Sequence, residues 1–308
     1  MIPARILATA LALGATAVAG CGLGPGKERK GSVELRVTRD FGEQPVRSVR
    51  FGKVREDETV MRLLRSRFDV QTRYGGRFVQ AIGGVEGKGS GGRRDWFFFV
   101  NGVEAHVGAA EYSVNPGDVV QWDYRRWDTA MSVPAIVGAF PQPFKSGVGG
   151  KRLPVRVECA EAAARSCALV KQRLSDLGIV ATGSSLGATG TQQVIRVVVA
   201  PWRKAKLVPS VASLADGPQK SGVFARFSGD GARLLLLDAD GHVARTAPAR
   251  TGLVAGFAPS DKQVIWTVTG PDERSLEFAA GALDARTLRD AYAVAAGPAG
   301  LDKLPLKP

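Results

Sequence analysis

The sequence predicts an α+β protein in two parts: an N-terminal sheet crossed by one helix, then a small α/β region. Three observations lead there. Residues 33–37 and 119–124 alternate apolar and polar side chains, 96–100 is a strongly apolar strand, and the one helical spacing between them is Val60, Leu63, Leu64 and Phe68. Beyond residue 150, strand and helix patterns take turns instead. A Pro- and Gly-bearing stretch, 131–150, separates the two patterns and reads as an extended connector.

The first 31 residues belong to neither part. Arg5 precedes an apolar and small-residue run that is too short to span a bilayer and ends at Cys21. The tetrapeptide Val18-Ala19-Gly20-Cys21 resembles the bacterial lipobox, whose Cys thiol is acylated and becomes the mature N-terminus. Residues 1–20 are then a lipoprotein signal peptide. Residues 21–31 are a flexible tether of Gly, Pro and charge. The resemblance implies an exported protein at the extracytoplasmic face of the cell membrane, held by lipid on Cys21.

In the first region, 32–130, residues 33–37 should form a half-buried strand and 46–51 a weaker one. Thr59 is placed to cap the helix. Residues 77–82 form a third strand, and 83–92 are so rich in Gly that a mobile loop is expected. Strand 96–100 is the strongest, and Asn101-Gly102 turns it back through Val103. A second turn at 115–118 leads into 119–124.

In the second region, 151–308, strands are expected at 154–158, 194–199, 224–227, 234–237, 242–244 and 264–270. Helices are expected around 208–214 and through Leu276, Ala279, Ala280 and Leu283. A further helix carries Ala163, Cys167, Val170, Leu174 and Leu177, with Gly178 as its C-terminal stop. Cys159 and Cys167 form an even pair in an exported chain, which favours a disulfide. A helix starting at Ala160 would hold the sulfurs about 12 Å apart, whereas one starting near Ala164 allows the bridge. Both readings stand at this level.

Composition narrows the function. Hydrophobic residues at 44% and charged residues at 23% describe an ordinary globular chain. The net charge of +13 is spread along the sequence without a basic block or aromatic-rich basic stripe, so nucleic acid is not an expected partner. The tether's Lys27, Arg29 and Lys30 suit anionic headgroups. No catalytic set emerges, and an enzyme is not expected. Cys-x7-Cys fits no common zinc spacing. His106 reads as a polar loop residue that could reach a ligand. Asp238-x-Asp240-Gly241 starts like a calcium loop but has Ala249 where the closing acid belongs. No metal site is expected.

One resemblance covers 32–127. Tyr74-Gly75-Gly76, Phe78-Val79, Ile82-Gly83, the run from Trp96 to Gly102, and Pro116-Gly117-Asp118-x-Val120-x-Trp122-x-Tyr124 follow one another in order. In that order they resemble the domain of unknown function that is similar to the C-terminal β-grasp domain of transcobalamin. The resemblance implies that 32–130 is a non-catalytic, β-grasp-like module that closes over one face of a ligand. A corrinoid-like molecule is the cofactor-like ligand it suggests, captured for uptake beside a transporter.

The aromatic set needs weighing. Alternation puts Trp96 and Phe98 on one face of the sheet, and Trp122 shares a face with Tyr124. Either the connector or the second region covers the set, or it is an exposed platform for a flat ligand, peptide or glycan. On the second reading Trp96, Phe98, Asn101, Gly102, Trp122 and Tyr124 line the ligand site, with Arg93 and Arg94 favouring anionic groups. The leading function is thus a lipid-anchored ligand-binding module. The alternative is an envelope interaction protein that binds another protein or a wall polymer.

Overall fold

The computed structural model describes residues 27–86, 93–188, 193–260 and 263–307. Cys21 with its apolar run, and 87–92 of the Gly-rich stretch, lie outside the described residues. Strand accounts for 42% and helix for 19% of the structure, in several sheets, which makes it α+β as expected.

The N-terminal part comprises β1 (Glu28–Arg39), β2 (Gln44–Arg55), α1 (Val60–Arg65), β3 (Val70–Arg73), β4 (Phe78–Ile82), β5 (Val85–Glu86), β6 (Arg94–Val100), β7 (Val103–Glu104) and β8 (Val119–Arg126). Five strands form one sheet in the order β2-β1-β8-β6-β7. The central β1 and β8 are parallel, and their neighbours are antiparallel. One helix lies across this mixed sheet. The hydroxyl of Thr59 accepts the Arg62 N–H at 3.3 Å and caps α1, as its position before the apolar stripe predicts. Val60, Leu63 and Leu64 then pack on Val33, Leu35, Val37, Val120 and Trp122. The small sheet β3-β4-β5 closes the same face. Its short outer strands, β3 and β5, escaped the sequence pattern because neither completes an alternation.

The second part comprises β9 (Val155–Cys159), α2 (Arg165–Asp176), β10 (Ala181–Ser185), β11 (Ile195–Pro201), α3 (Trp202–Ala205), α4 (Pro209–Ala212), α5 (Pro218–Ser221), β12 (Ala225–Phe227), β13 (Leu234–Leu237), β14 (Val243–Thr246), β15 (Gly252–Ser260), β16 (Gln263–Gly270), α6 (Glu273–Gly281), α7 (Ala285–Leu288), β17 (Ala293–Gly297) and β18 (Gly300–Leu304). Seven strands form its main sheet, ordered β10-β9-β11-β16-β15-β17-β18. The first four are mutually parallel and the last three antiparallel. Strand alternation splits its side chains between two cores. Ile195, Val197, Val199, Val264, Trp266 and Val268 pack with α2 and α6. Val198, Ala200, Ile265, Leu253 and Phe257 pack with α3, α4 and the sheet β12-β13-β14.

Two expectations change here. Residues 131–150 are no loose connector: Val133, Ile136, Val137, Phe140 and Phe144 are almost wholly buried. Phe140 and Phe144 lie 5.8 and 4.9 Å from the Trp266 ring. The prolines and glycines shape this stretch, while its apolar residues enter both cores. The open question about the cysteines is also answered. Because α2 begins at Arg165, the sulfurs meet, and Cys159 is bonded to Cys167 with the Cα atoms 6.0 Å apart.

The two sheets meet through polar groups. Arg36 on β1 donates to the carbonyl of Gly138 at 2.8 Å and to Asp290 at 3.2 Å. Asp123 on β8, fully buried, accepts from the hydroxyls of Thr38 (2.6 Å) and Tyr292 (2.9 Å) and from the N–H groups of Phe41 (2.9 Å) and Gly42 (3.1 Å). Phe41 and Phe99 stand edge-on to Tyr292 at 5.2 and 5.6 Å.

Candidate ligand-binding cleft

The residues proposed as a platform are brought together, but inside the N-terminal core. Trp96, Trp122 and Tyr124 are buried and Phe98 is half-buried. Phe98 stacks on Trp122 at 4.8 Å, and Trp96 tilts against Tyr124 at 5.3 Å. The indole N–H of Trp96 donates to the carbonyl of Val85 at 3.1 Å, and the Tyr124 hydroxyl to that of Glu86 at 2.8 Å. These bonds pin the start of the stretch expected to be mobile, which is the turn and strand β5 as far as residue 86. The exposed-platform reading is therefore corrected: α1 and the small sheet cover this aromatic face.

The Asn101-Gly102 turn is also occupied. Asn101 has a positive φ of 54°, which its short polar side chain tolerates. Its amide donates to Asp118 at 2.7 Å and to the carbonyl of Gly147 at 2.9 Å, while its oxygen accepts the Val119 N–H at 2.9 Å. Gly102 has φ +79°, and a Cβ there would meet the carbonyl oxygen of Ile136 at 2.5 Å. The backbone of 131–150 thus lies on the turn that sequence reasoning offered to a ligand. Arg93 is exposed and pairs with Asp128 at 3.3 Å, and Arg94 pairs with Asp40. Arg94 also lies near enough to Tyr124 for its charge to act on the phenol.

An open site lies just beyond the turn. A cleft of about 280 Å³ is lined by Val103, Glu104, His106, Val107 and Tyr112 from the N-terminal part. Val148, Gly149, Lys151 and Leu153 form its other wall, and Gln193 reaches its edge. With Ala105, five apolar side chains thus face a carboxylate, an imidazole, a phenol and an ammonium. Glu104 is already engaged: it accepts from the Ser132 hydroxyl at 2.5 Å and the Val133 N–H at 3.1 Å. Its other partner is the buried Arg125, at 3.5 Å.

Tyr112 is the most perturbed group of the cleft. Burial, reinforced by the charge of Asp118, pushes its phenol up to about 12, against a hydrogen bond with the Gly149 backbone. It is therefore a protonated donor at neutral pH. Burial likewise raises the Asp118 carboxyl, opposed by bonds from Asn115 and Asn101. His106 is exposed at the rim, as a polar loop histidine should be. Tyr112 and Lys151 were invisible to sequence reasoning, because no periodicity joins a loop of the first region to the end of the connector. Among the described residues no three His, Cys, Asp or Glu side chains are grouped to hold a metal ion, and no helix is long and apolar enough to cross a membrane.

Three comparisons bear on this arrangement. No curated protein matches the chain. Among solved structures, it is similar to a Ruminococcus gnavus protein described as a "putative metal binding protein", with 17% identity and a TM-score of 0.25, over 32% of this chain and 98% of that one. Residues 57–126 match the family model of a domain of unknown function, DUF4430. That stretch runs from the turn before α1 to the last residue of β8, so the similarity to DUF4430 spans the aromatic core, His106 and Tyr112 but not the second sheet.

Proposed function

We propose that this protein is a non-catalytic binding protein of the cell envelope, tethered to the membrane through lipid on Cys21. It takes up a cofactor-like small molecule at the Tyr112 cleft. The observation that carries the reading is the cleft itself. Apolar walls with a few converging polar groups are the usual make-up of a small-molecule site. Its volume suits a compact group or one edge of a larger ring, so a corrinoid-like ligand would dock by an edge. The lipobox resemblance supports the tether, and the transcobalamin resemblance of 32–127 supports the ligand class.

Two experiments test this. The first is equilibrium dialysis of the full chain against cyanocobalamin and against soluble wall fragments. Binding that falls about tenfold in Tyr112→Phe or Lys151→Gln, at unchanged Tm, supports the cleft. Binding that falls only in the triple Arg93→Ala, Arg94→Ala, Tyr124→Ala variant moves the site to the sheet's aromatic end. In the second, Cys21→Ser should abolish lipid labelling and membrane partition. Retention of both in that variant rejects the tether.

The alternative, docking to another protein or a wall polymer, is favoured by one observation. Tyr74 is 80% exposed at the tip between β3 and β4, with a positive φ of 51°. Loss of wall-fragment retention in Tyr74→Ser, with the cleft variants unaffected, would select it.

A further inference from the structure

The parallel half of the second sheet has a topological switch point. After β9 the chain leaves toward the face packed by α2, and after β11 toward the face packed by α3. These two strands are neighbours. In open α/β sheets, connections that diverge in this way leave a crevice beyond the carboxyl ends of the strands, where ligands bind.

A cleft of about 740 Å³ lies at that place. Cys159 and Ala160, at the end of β9, form its floor, and residues 183–186, at the end of β10, form one wall. Lys171 of α2 and Lys204 of α3 enter from opposite sides, and no acidic side chain lines it among the described residues. The walls are fixed. The disulfide ties the end of β9 to the first turn of α2. Glu158, held by Arg196 at 2.7 and 2.6 Å, accepts the Gly187 N–H at 3.3 Å and anchors the loop after β10. Gly183 leaves room for the head of Lys171: a Cβ there would stand 3.1 Å from Nζ.

The N-terminus of α2 is not what remains open. Glu273 fills it, accepting from the Ser166 N–H at 2.8 Å and its hydroxyl at 3.0 Å. What remains is two ammonium groups and the hydroxyls of Ser184 and Ser185 around a space of small-molecule size. Lys204 is held at the rim by Glu161, at 2.5 Å, in an exposed pair that solvent weakens.

We propose that this crevice is a second binding site, independent of the Tyr112 cleft, for a small organic molecule bearing a phosphate or carboxylate group. The anion takes both lysines and displaces Glu161 from Lys204. Calorimetric titration of the full chain with glucose 6-phosphate, glucuronate and glucose tests it. One or both anions should bind and neutral glucose should not; the stronger anion identifies the group recognised. The double variant Lys171→Gln, Lys204→Gln should bind at least about tenfold more weakly. Glu161→Gln should bind a few-fold more tightly, because it frees Lys204, and Lys151→Gln at the other cleft should change nothing. Should the double variant also melt lower, Glu161→Gln decides, since a purely structural loss cannot tighten binding. Anions that bind no better than glucose, or an unchanged affinity in the folded double variant, would overturn the proposal.

Discussion

Along β8, Trp122 and Tyr124 face α1 while Gln121, Asp123 and Arg125 face the second sheet, and all five are buried. One face of the strand is sealed by apolar packing. The other is sealed by buried polar groups, most of which are paired; among the described residues only Gln121 Oε1 and Arg125 Nε of this face lack a partner. Arg125 lies over the Phe97 ring at 3.8 Å and donates to the carbonyl of Ala130 at 2.7 Å. Asp123 collects four donors from two separate stretches of chain. The polar face of a strand pattern need not meet water: on β8 it is buried against the second sheet. A buried polar seam demands geometry, because each unmatched group is costly.

The comparison can be broken by truncating one residue on each face. Trp122→Ala should destabilise by about 3–5 kcal/mol through a large cavity. Asp123→Ala should cost about 3 kcal/mol, nearly as much, because four donors lose their acceptor together. Urea unfolding measures both, and a loss under 0.5 kcal/mol for Asp123→Ala would mean that the seam admits water. Gly102→Ala, at the turn seated against Ile136, should cost about 2 kcal/mol through a forced backbone shift, read as a fall in Tm.

The next test uses pH to separate two carboxylates of the seam. Glu34 is partly buried, which pushes its carboxyl up, but Arg36 and Arg289 outweigh this and bring it down to about 2 from 4.5. Its stabilising share is complete above pH 4.5 and fades as pH falls toward 2. Glu34→Gln should therefore cost about 1.5 kcal/mol at pH 7 and converge with the wild type near pH 2. Asp123 has the opposite sign. Burial raises its carboxyl above the ordinary 3.8 against the pull of its donors, so its share is whole below that pH and is lost as pH rises through the raised value. Denaturation midpoints across pH 2–7 should show the two trends. The smallest effect belongs to Arg93→Ala, at an exposed pair, which should stay within about 0.5 kcal/mol of the wild type.

Much of the architecture was legible. Alternation found β1 and β8, apolar runs rich in β-branched and aromatic residues found β6, β11 and β16, and the Thr59 cap with its apolar stripe found α1. The strands β10, β15, β17 and β18 were missed: the Gly-Ser-Ser of 183–185 reads as loop, 252–260 is interrupted by Gly, Ala and Pro, and a small-residue run such as 293–297 alternates nothing. The site was less legible. Trp96 and Trp122 were found as a set, yet sequence could not say which face they share with α1. The cleft itself joins His106 and Tyr112 to Lys151, and only the fold brings these together.

The outermost strand of the N-terminal sheet carries one further meaning. β2 is twelve residues long, pairs on one side only among the described residues, and is exposed along nearly its whole length. Such an edge invites a second copy to add its own strand. Along β2 stand Arg47, Arg50, Lys53 and Arg55, a row of like charges that two approaching edges would bring face to face. Part of the chain's positive charge thus stands where it opposes edge-to-edge self-association.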